Sequence, residues 1–212
     1  MHSDICSVEV SSNSGSRYFI TFTDDFSRYI WVYFLKQKSE ACDTFKTFKL
    51  FVEKQSGCKI KIFRTNRETE YLACSDYFKQ HRIQHQLTTR YTPQQNGISE
   101  RKNRTIMDMV RCMLKSKQMP KEFWAKAVAT AVHILNRCPT KSVRDKTLEE
   151  AWSGKRPSIH HFRVFGCIAY PHVPYQLRKK LDDKGEKYIF IGYSIDSSIQ
   201  VVQFKNKKSN HQ

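Results

Sequence analysis

Residues 17–35 read RYFITFTDDFSRYIWVYFL, and this stretch decides the fold. Its first part, Arg17–Asp24, alternates apolar and polar side chains, and its last part, Tyr29–Leu35, is apolar almost throughout. Runs of this kind that are rich in β-branched and aromatic residues favour strands. The segment DDFSR between them is a turn signal, so the sequence predicts a β-hairpin.

The segments around the hairpin extend it to a mixed α/β order. A strand at about Ser3–Val10 would complete a three-stranded meander. A helix is predicted at Ser39–Gln55, with Ser39 as its N-cap and Gly57 as its stop. The patterns that follow predict, in order, a strand at Lys59–Arg64, a short helix at Ser75–Arg82, a strand at Ile83–Thr88, a loop at Thr92–Gly97 and a long helix at Ile98–Lys117.

A second long helix follows Pro120 and is ended by Pro139. Beyond it we predict a short helix at Leu148–Trp152 and strands at Phe162–Tyr170 and Tyr188–Tyr193. The expected architecture is therefore a mixed sheet with helices on both faces over residues 1–157, which is the element order of the RNase H-like fold. A small β-barrel-like unit with a frayed end is expected at 158–212.

Charge is the strongest compositional signal. Lys and Arg number 37 against 20 acidic residues, which gives a formal net charge of +17. Such an excess is typical of proteins that bind a polyanion, with nucleic acid favoured over an anionic membrane surface. No apolar run approaches the ~18–20 residues of a membrane span, and no signal peptide is visible at the polar start.

The cysteines and histidines show no close metal-ligand spacing. The seven cysteines are scattered, and none forms a C-x-x-C pair. We interpret them as reduced thiols of an intracellular protein rather than as a disulfide framework or a zinc cluster. His160 and His161 are adjacent, so on an extended segment they would point to opposite faces, and we interpret them as loop residues rather than a metal pair.

Over nearly its whole length the chain resembles copia-type retrotransposon integrases. The matching segments are HSDIC (2–6), SRYFITFTDDFSRYIWVYFLKQKSE (16–40), YTPQQNGISERKNRTI (91–106), MPKEFWAKAVATAVHILNRCPT (119–140), LEEAWSGKRPSIHHFRVFGCIAY (148–170) and KLDDKGEKYIFIGYS (180–194). The last two resemble the small Src-homology-3-like barrel that follows the core in these polyproteins. No zinc-binding segment precedes the core and no reverse transcriptase follows it, so a Pol polyprotein fragment is expected.

The resemblance implies a catalytic site of two aspartates and one glutamate that bind Mg²⁺ or Mn²⁺. The first aspartate corresponds to Asp4 and the glutamate to Glu100. The second aspartate normally opens a segment of the form RSDNGGEY, which here reads RTNRETEY (64–71), so Asn66 stands in its place. An amide supplies one neutral oxygen and no charge to a metal site that needs anionic ligands. We therefore expect impaired catalysis, with Glu68 as a remote substitute ligand.

Several of these residues have a plainer interpretation. Without the family, Asp4 is a solvated carboxylate, and Glu100 is a first-turn acid that complements the helix dipole. Asp24 and Asp25 are assigned mostly to the hairpin turn. For the loop amides Gln94, Gln95 and Asn96, contact with DNA is favoured over a plain turn role. For the basic helix stripe, contact with phosphates is favoured over an ordinary solvated surface. The stripe consists of Arg101, Arg104, Arg111 and Lys115.

Three functions follow as hypotheses. The first is a degenerate polynucleotidyl transferase, in whose intact relatives a metal-activated water cuts the DNA ends and the freed hydroxyl attacks target DNA. The second is a non-catalytic nucleic-acid-binding module, and the third is an element relic without present function. DNA is the expected partner, homo-oligomerisation is left open, and a nuclear location is implied by the resemblance.

Overall fold

The computed structural model describes residues 1–66, 69–87, 97–194 and 198–203. Its strands up to residue 87 are β1 (His2–Ser7), β2 (Tyr18–Thr23), β3 (Ile30–Leu35), β4 (Ile62–Thr65) and β5 (Gln84–Leu87). They form one sheet in the order β3-β2-β1-β4-β5. The meander β1-β2-β3 is antiparallel, and β4 joins β1 and β5 in parallel, so the sheet is mixed as predicted.

Side chains alternate along the central strands of this sheet, so apolar residues point to both of its faces. Helices cover both faces. The helices are α1 (Ala41–Ser56), α2 (Ser75–Gln80), α3 (Gly97–Ser116), α4 (Trp124–Arg137) and α5 (Leu148–Ser153). On β2, Phe22 stacks against Phe48 of α1 with ring centroids 4.1 Å apart. Phe19 points to the opposite face and lies 6.1 Å from the ring of Trp124 on α4. The RNase H-like arrangement with helices on both faces is thus confirmed.

The start of α1 differs from the prediction. A 3-10 turn at Lys38–Glu40 precedes the helix, and Glu40 is the N-cap without a side-chain capping bond. Ser39 does not cap, because its hydroxyl donates to the side-chain oxygen of Gln37. The predicted stop is confirmed: Gly57 has φ of 68°, a left-handed conformation that glycine adopts without steric cost.

The C-terminal residues that the structure describes form a three-stranded antiparallel sheet of β6 (Ile168–Ala169), β7 (Tyr188–Tyr193) and β8 (Ile199–Val202). The predicted strand at Phe162–Tyr170 is mostly wrong, since only its last part pairs with β7. Gly166, at φ of 77°, interrupts the extended chain before β6. The phenyl ring of Phe165 is instead buried in the core with α3 and α4. The boundary at residue 157 stays a prediction.

The thiol prediction is wrong for two cysteines. Cys42 on α1 and Cys74, at the end of a 3-10 turn at Thr69–Cys74, form a disulfide across 32 residues of chain. Both are buried among apolar residues, where their pairing could not be inferred from spacing. The other five cysteines, Cys6, Cys58, Cys112, Cys138 and Cys167, form no disulfide with any described residue, as predicted. Within the described ranges, no helix combines the length and apolarity that crossing a bilayer would take.

Candidate catalytic site

Asp4 lies at the centre of the candidate site on β1. Its register partner on β2 is Thr21, and its side chain points to the sheet face that α3 covers. One carboxylate oxygen, Oδ1, accepts a hydrogen bond from Nδ2 of Asn66 at 3.0 Å. The other, Oδ2, accepts from Nδ2 of Asn103 at 2.9 Å. Both oxygens of the first predicted metal ligand therefore accept from amide groups.

Asn66 reaches Asp4 because of the sheet topology. Strands β1 and β4 run parallel with His2 opposite Arg64, so the residue two positions after Arg64 lies beside the residue two positions after His2. The structure thus brings two of the three predicted catalytic positions together. The Oδ1 atom of Asn66 is buried, and no hydrogen-bond donor among the described residues reaches it.

The amide orientation of Asn66 has a physical reason. Turning the amide over would place its Oδ1 against Oδ1 of Asp4 at about the present 3.0 Å. Two oxygens at that distance repel each other unless a cation lies between them. Without a cation, the amide nitrogen faces the carboxylate, and the amide oxygen meets no donor among the described residues, at a cost of about 1–3 kcal/mol for a buried acceptor.

Glu100 occupies the first turn of α3 and is exposed. Three residues later on the same helix, Asn103 is buried and touches Asp4. Residues three apart on a helix are neighbours on its surface, so the first turns of α3 carry Glu100 toward the same end of β1. The structure supports the convergence of strand and helix, and the role of Glu100 as a metal ligand stays a prediction.

Asn103 is a site residue that the sequence analysis missed. Its Oδ1 accepts from the hydroxyl of Thr21 at 2.9 Å while its amide donates to Asp4, so it joins β1, β2 and α3. The signal was present in the ERKNRT block, where a short polar residue stands three positions after Glu100 on a helix. Short amides are disfavoured in helix interiors, so this one indicates a specific contact.

The two acidic residues of the hairpin turn have different partners. Asp24 accepts from the backbone N–H and the hydroxyl of Ser27, both at 2.8 Å, which confirms its turn role. Asp25 is bound by His2 at 3.1 Å, Arg28 at 3.0 Å and Arg64 at 2.9 Å. It therefore ties the turn to β1 and β4, two positions before Asp4 and Asn66 on their strands. This contact between elements exceeds the local role that was predicted.

Electrostatics in this network favour a charged Asp25 and a neutral His2. Burial by itself would raise the pKa of Asp25, but hydrogen bonds from His2 and Arg64 and the charge of Arg28 outweigh burial and lower it. Burial lowers the pKa of His2, against the opposing hydrogen bond and charge of Asp25. The network is a fixed anion held by two guanidinium groups, and it stabilises the strand pair beside the candidate site.

The predicted DNA-contact residues are only partly within the described ranges. Arg101, Arg104, Arg111 and Lys115 are all exposed on α3. Arg111 also forms an ion pair with Asp108 at 3.2 Å, between two well-exposed side chains, so this pair contributes little. The loop amides Gln94, Gln95 and Asn96, and the substitute ligand Glu68, lie outside the described residues.

A metal does not fit the donors as they stand. In the part of the chain that the structure describes, no group of three or more His, Cys, Asp or Glu side chains is placed to hold a metal ion. Both oxygens of Asp4 face N–H donors, and Asn66 offers a neutral oxygen turned away from Asp4. Two divalent cations need shared anionic ligands, which this set lacks.

One of the two adjacent histidines, His161, contacts helix α4. The Nε2 atoms of His161 and His133, the latter on α4, are 3.2 Å apart. Arg137 donates to Nδ1 of His133 at 3.1 Å, so His133 carries its proton on Nε2 and donates it to His161. Burial, then the charges of Arg137 and His161, lower the pKa of His133 to about 4. His160 and His161 themselves lie in a turn, which agrees with the predicted loop role.

Comparison with known proteins agrees with this fold. Residues 1–93 match the family model of the integrase core domain, and residues 167–208 match that of the retroviral polymerase SH3-like domain. A core fold of integrase type is also found in solved structures. The simian T-cell lymphotropic virus intasome in complex with PP2A regulatory subunit B56 gamma has a TM-score of 0.57 at 17% identity, covering 96% of this chain and 75% of that one.

The HTLV-2 integrase catalytic core domain, solved with magnesium in a trimeric form, has a TM-score of 0.52 at 18% identity and covers 71% of this chain and 93% of that one. Among polyproteins, the Pol polyprotein from transposon TNT 1-94 of Nicotiana tabacum is 43% identical over 196 residues, which is 91% of this chain. That from transposon RE1 of Arabidopsis thaliana is 38% identical over 198 residues, or 93% of this chain. The chain spans only 15% and 14% of those two relatives.

These findings define the chain first as an integrase-type core followed by a small β unit. It belongs to the family of copia-type retrotransposon Pol polyproteins, as their integrase core domain and SH3-like domain.

Proposed function

We propose that this chain is an integrase core that binds DNA while its metal-dependent strand transfer is impaired. The observation that carries the proposal is the hydrogen bond from Asn66 Nδ2 to Asp4 Oδ1 at 3.0 Å. At the position where an integrase of this kind needs an anionic metal ligand, the chain has an amide that donates to the neighbouring carboxylate.

The chemistry of the donors supports impairment. A two-metal site draws its ligand charge from carboxylates, and Asp4 and Glu100 supply two negative charges where the family pattern has three. Asn66 also stabilises Asp4 directly, so a metal ion must displace a charge-assisted hydrogen bond before it reaches that carboxylate. Each effect weakens metal binding, and they act together.

The surface of α3 supports DNA binding independently of catalysis. Its exposed stripe of Arg101, Arg104, Arg111 and Lys115 follows Glu100 along the helix. In a chain of net charge +17, a polyanion is the partner that relieves self-repulsion. Neutralising Lys and Arg contacts with phosphates releases counterions, so this binding is expected to weaken steeply with salt.

Two assays test the proposal with the purified chain. Fluorescence anisotropy with a labelled DNA duplex across a series of salt concentrations measures binding. A strand-transfer assay in Mg²⁺ or Mn²⁺, with wild type beside Asn66→Asp, measures catalysis. We expect salt-dependent binding by both proteins, no strand transfer by wild type, and metal-dependent activity gained by Asn66→Asp.

The outcomes separate the alternatives. If wild type performs strand transfer and Asn66→Asp does not increase it, Asn66 does not impair catalysis. Binding that is flat with salt would remove the nucleic-acid role and leave an element relic. Homo-oligomerisation and a nuclear location remain predictions, which sedimentation of the chain and microscopy of a tagged copy test directly.

A further inference from the structure

A second basic feature adjoins the stripe on α3 and shares Arg101 with it. It is a cavity of about 330 Å³ between the β2–β3 turn, the first turns of α3 and the segment after α4. The described residues that line it are Arg28, Ile98, Arg101, Lys102, Thr105, Thr140 and Ser142. Three of them are cationic and three carry hydroxyls, and none of these seven is acidic.

The cations of this cavity stand close enough to repel each other. Arg28, Arg101 and Lys102 all line this one cavity of about 330 Å³, so three like charges meet in a small volume. Asp25 offsets part of the charge of Arg28, to which it is bound at 3.0 Å. Lys102 is half-buried between the helix and the turn, a position that a long cationic side chain adopts at a cost unless an anion comes to it.

Arg28 lines the cavity from a backbone conformation that is unfavourable for a residue with a side chain. Arg28 has φ of 61°, in the left-handed region that is unfavourable by roughly 1–2 kcal/mol for a residue with a side chain. Glycine or asparagine would relieve the strain at this position. The chain instead has a guanidinium there, with its side chain only 27% exposed and lining the cavity.

The hydroxyl side of the cavity adds neutral donors. Thr140 and Ser142 lie on the segment after α4, with their hydroxyl oxygens 3.2 Å apart. Ser142 is exposed, and its hydroxyl can donate either to Thr140 or to a ligand in the cavity. Guanidinium, ammonium and hydroxyl donors converging on one small volume are the groups with which proteins bind phosphate oxygens.

We propose that this cavity binds one backbone phosphate of a DNA strand that lies along the start of α3. The inference rests on the proposed DNA-binding function and adds a contact outside its basic stripe, with Lys102 and Arg28 as the charged donors and Ser142 as a neutral one. A volume of about 330 Å³ admits a phosphodiester group with part of its sugar.

Lys102→Gln tests the proposal, since Lys102 is not part of the stripe. Each phosphate contact contributes about 0.9 to the slope of log affinity against log salt. The variant should lower that slope by about 0.9, so its deficit should be about 3-fold smaller at 200 mM than at 50 mM salt. Lys54→Gln, which removes the same charge from an exposed position on α1, is the matched control and should leave the slope unchanged.

Ser142→Asp is a second test from a different element. It puts a carboxylate at the exposed rim of the cavity, where it competes with phosphate for the cations. It should weaken binding of the same duplex at 50 mM salt by at least as much as Lys102→Gln, whereas Ser142→Ala should change affinity less than 2-fold. Thermal unfolding of each variant checks that the fold is kept.

The results separate a failure of the cavity proposal from a failure of the proposed DNA-binding function. If wild type binds DNA and Lys102→Gln behaves like Lys54→Gln, the cavity proposal is overturned and the proposed function stands. If Ser142→Asp binds like Ser142→Ala, the cavity is again excluded. If wild type itself shows no salt-dependent binding, the failure belongs to the proposed function.

Discussion

Replacing Asn66 with aspartate should lower the free energy of unfolding of the metal-free protein and add an anionic metal ligand. The contacts of Asn66 indicate the size of the loss. Wild-type Asn66 donates a hydrogen bond to the carboxylate of Asp4 at 3.0 Å. A hydrogen bond to a charged group contributes about 1.5–3 kcal/mol, and the partial exposure of both residues favours the lower end of that range. Asn66→Asp removes this bond and puts a second negative charge in its place.

Repulsion between the two carboxylates adds to the loss. Two unit charges about 4 Å apart interact by roughly 4 kcal/mol at the effective dielectric constant of a protein surface, and solvent and proton uptake reduce this. We expect Asn66→Asp to be less stable than wild type by about 3 kcal/mol near neutral pH without metal. Divalent metal should reverse this, since ligand at 100 times its dissociation constant stabilises by about 2.7 kcal/mol.

Urea unfolding with and without Mg²⁺ or Mn²⁺ measures both effects. Asn66→Ala is the matched control: it loses the hydrogen bond without gaining a charge, so it should lose about 1.5 kcal/mol and stay insensitive to metal. Lowering the pH until one carboxyl of the pair takes a proton should restore much of the stability of Asn66→Asp. Wild type stabilised by metal as strongly as Asn66→Asp would refute the reasoning.

Three further predictions concern stability and use unfolding measurements. Asn103→Leu leaves a carboxylate oxygen of Asp4 without its amide donor and should cost about 2 kcal/mol; a change below about 0.5 kcal/mol would mean that the contact is absent in solution. Reduction of the Cys42–Cys74 disulfide should lower the free energy of unfolding by about 4 kcal/mol, as expected for a loop of this length, whereas equal stability with and without reductant would show that the bond does not form. His133 has its pKa lowered to about 4 from 6.5, so the unfolded state binds more protons between these values, and stability should fall by about 1–2 kcal/mol as the pH drops from 6.5 to 4, allowing for the partial exposure of the ring. His133→Phe should flatten that dependence, and an unchanged slope would assign the acid sensitivity to other groups.

The parts of the fold that the sequence predicted are those set by local patterns. The hairpin of β2 and β3 follows from alternation and a turn signal, and β7 was predicted residue for residue as Tyr188–Tyr193. In both strands of the hairpin, the local sequence indicates which side chains are buried, because residues two apart lie on the same face of a strand. The strand expected at Phe162–Tyr170 had the same apolar character, but Gly166 breaks the extension and Phe165 is buried against the helices.

The contacts that the sequence could not predict are non-local. The Cys42–Cys74 pair joins α1 to a turn 32 residues away, and seven scattered cysteines offer many pairings. Within the site, Asp4 and Asn66 came from the resemblance alone, while the bond between them needed the parallel pairing of β1 and β4. Asn103 was missed because a polar helix residue looks solvated until the sheet beneath it is known.

The proposed function also has a consequence for stability, because Asn66 stands where the family pattern has a carboxylate. Three carboxylates converging on one point repel each other unless a cation is bound, so an intact site destabilises the metal-free protein. With an amide at Asn66, one of the charges is gone and a hydrogen bond to Asp4 replaces it. Proteins with functional active sites are often less stable than inactive variants of the same fold. An amide in place of a carboxylate at position 66 is expected to stabilise the metal-free protein in the same way. Under the proposed function, loss of catalysis and gain of metal-free stability have one cause, so the two readouts of Asn66→Asp should change together.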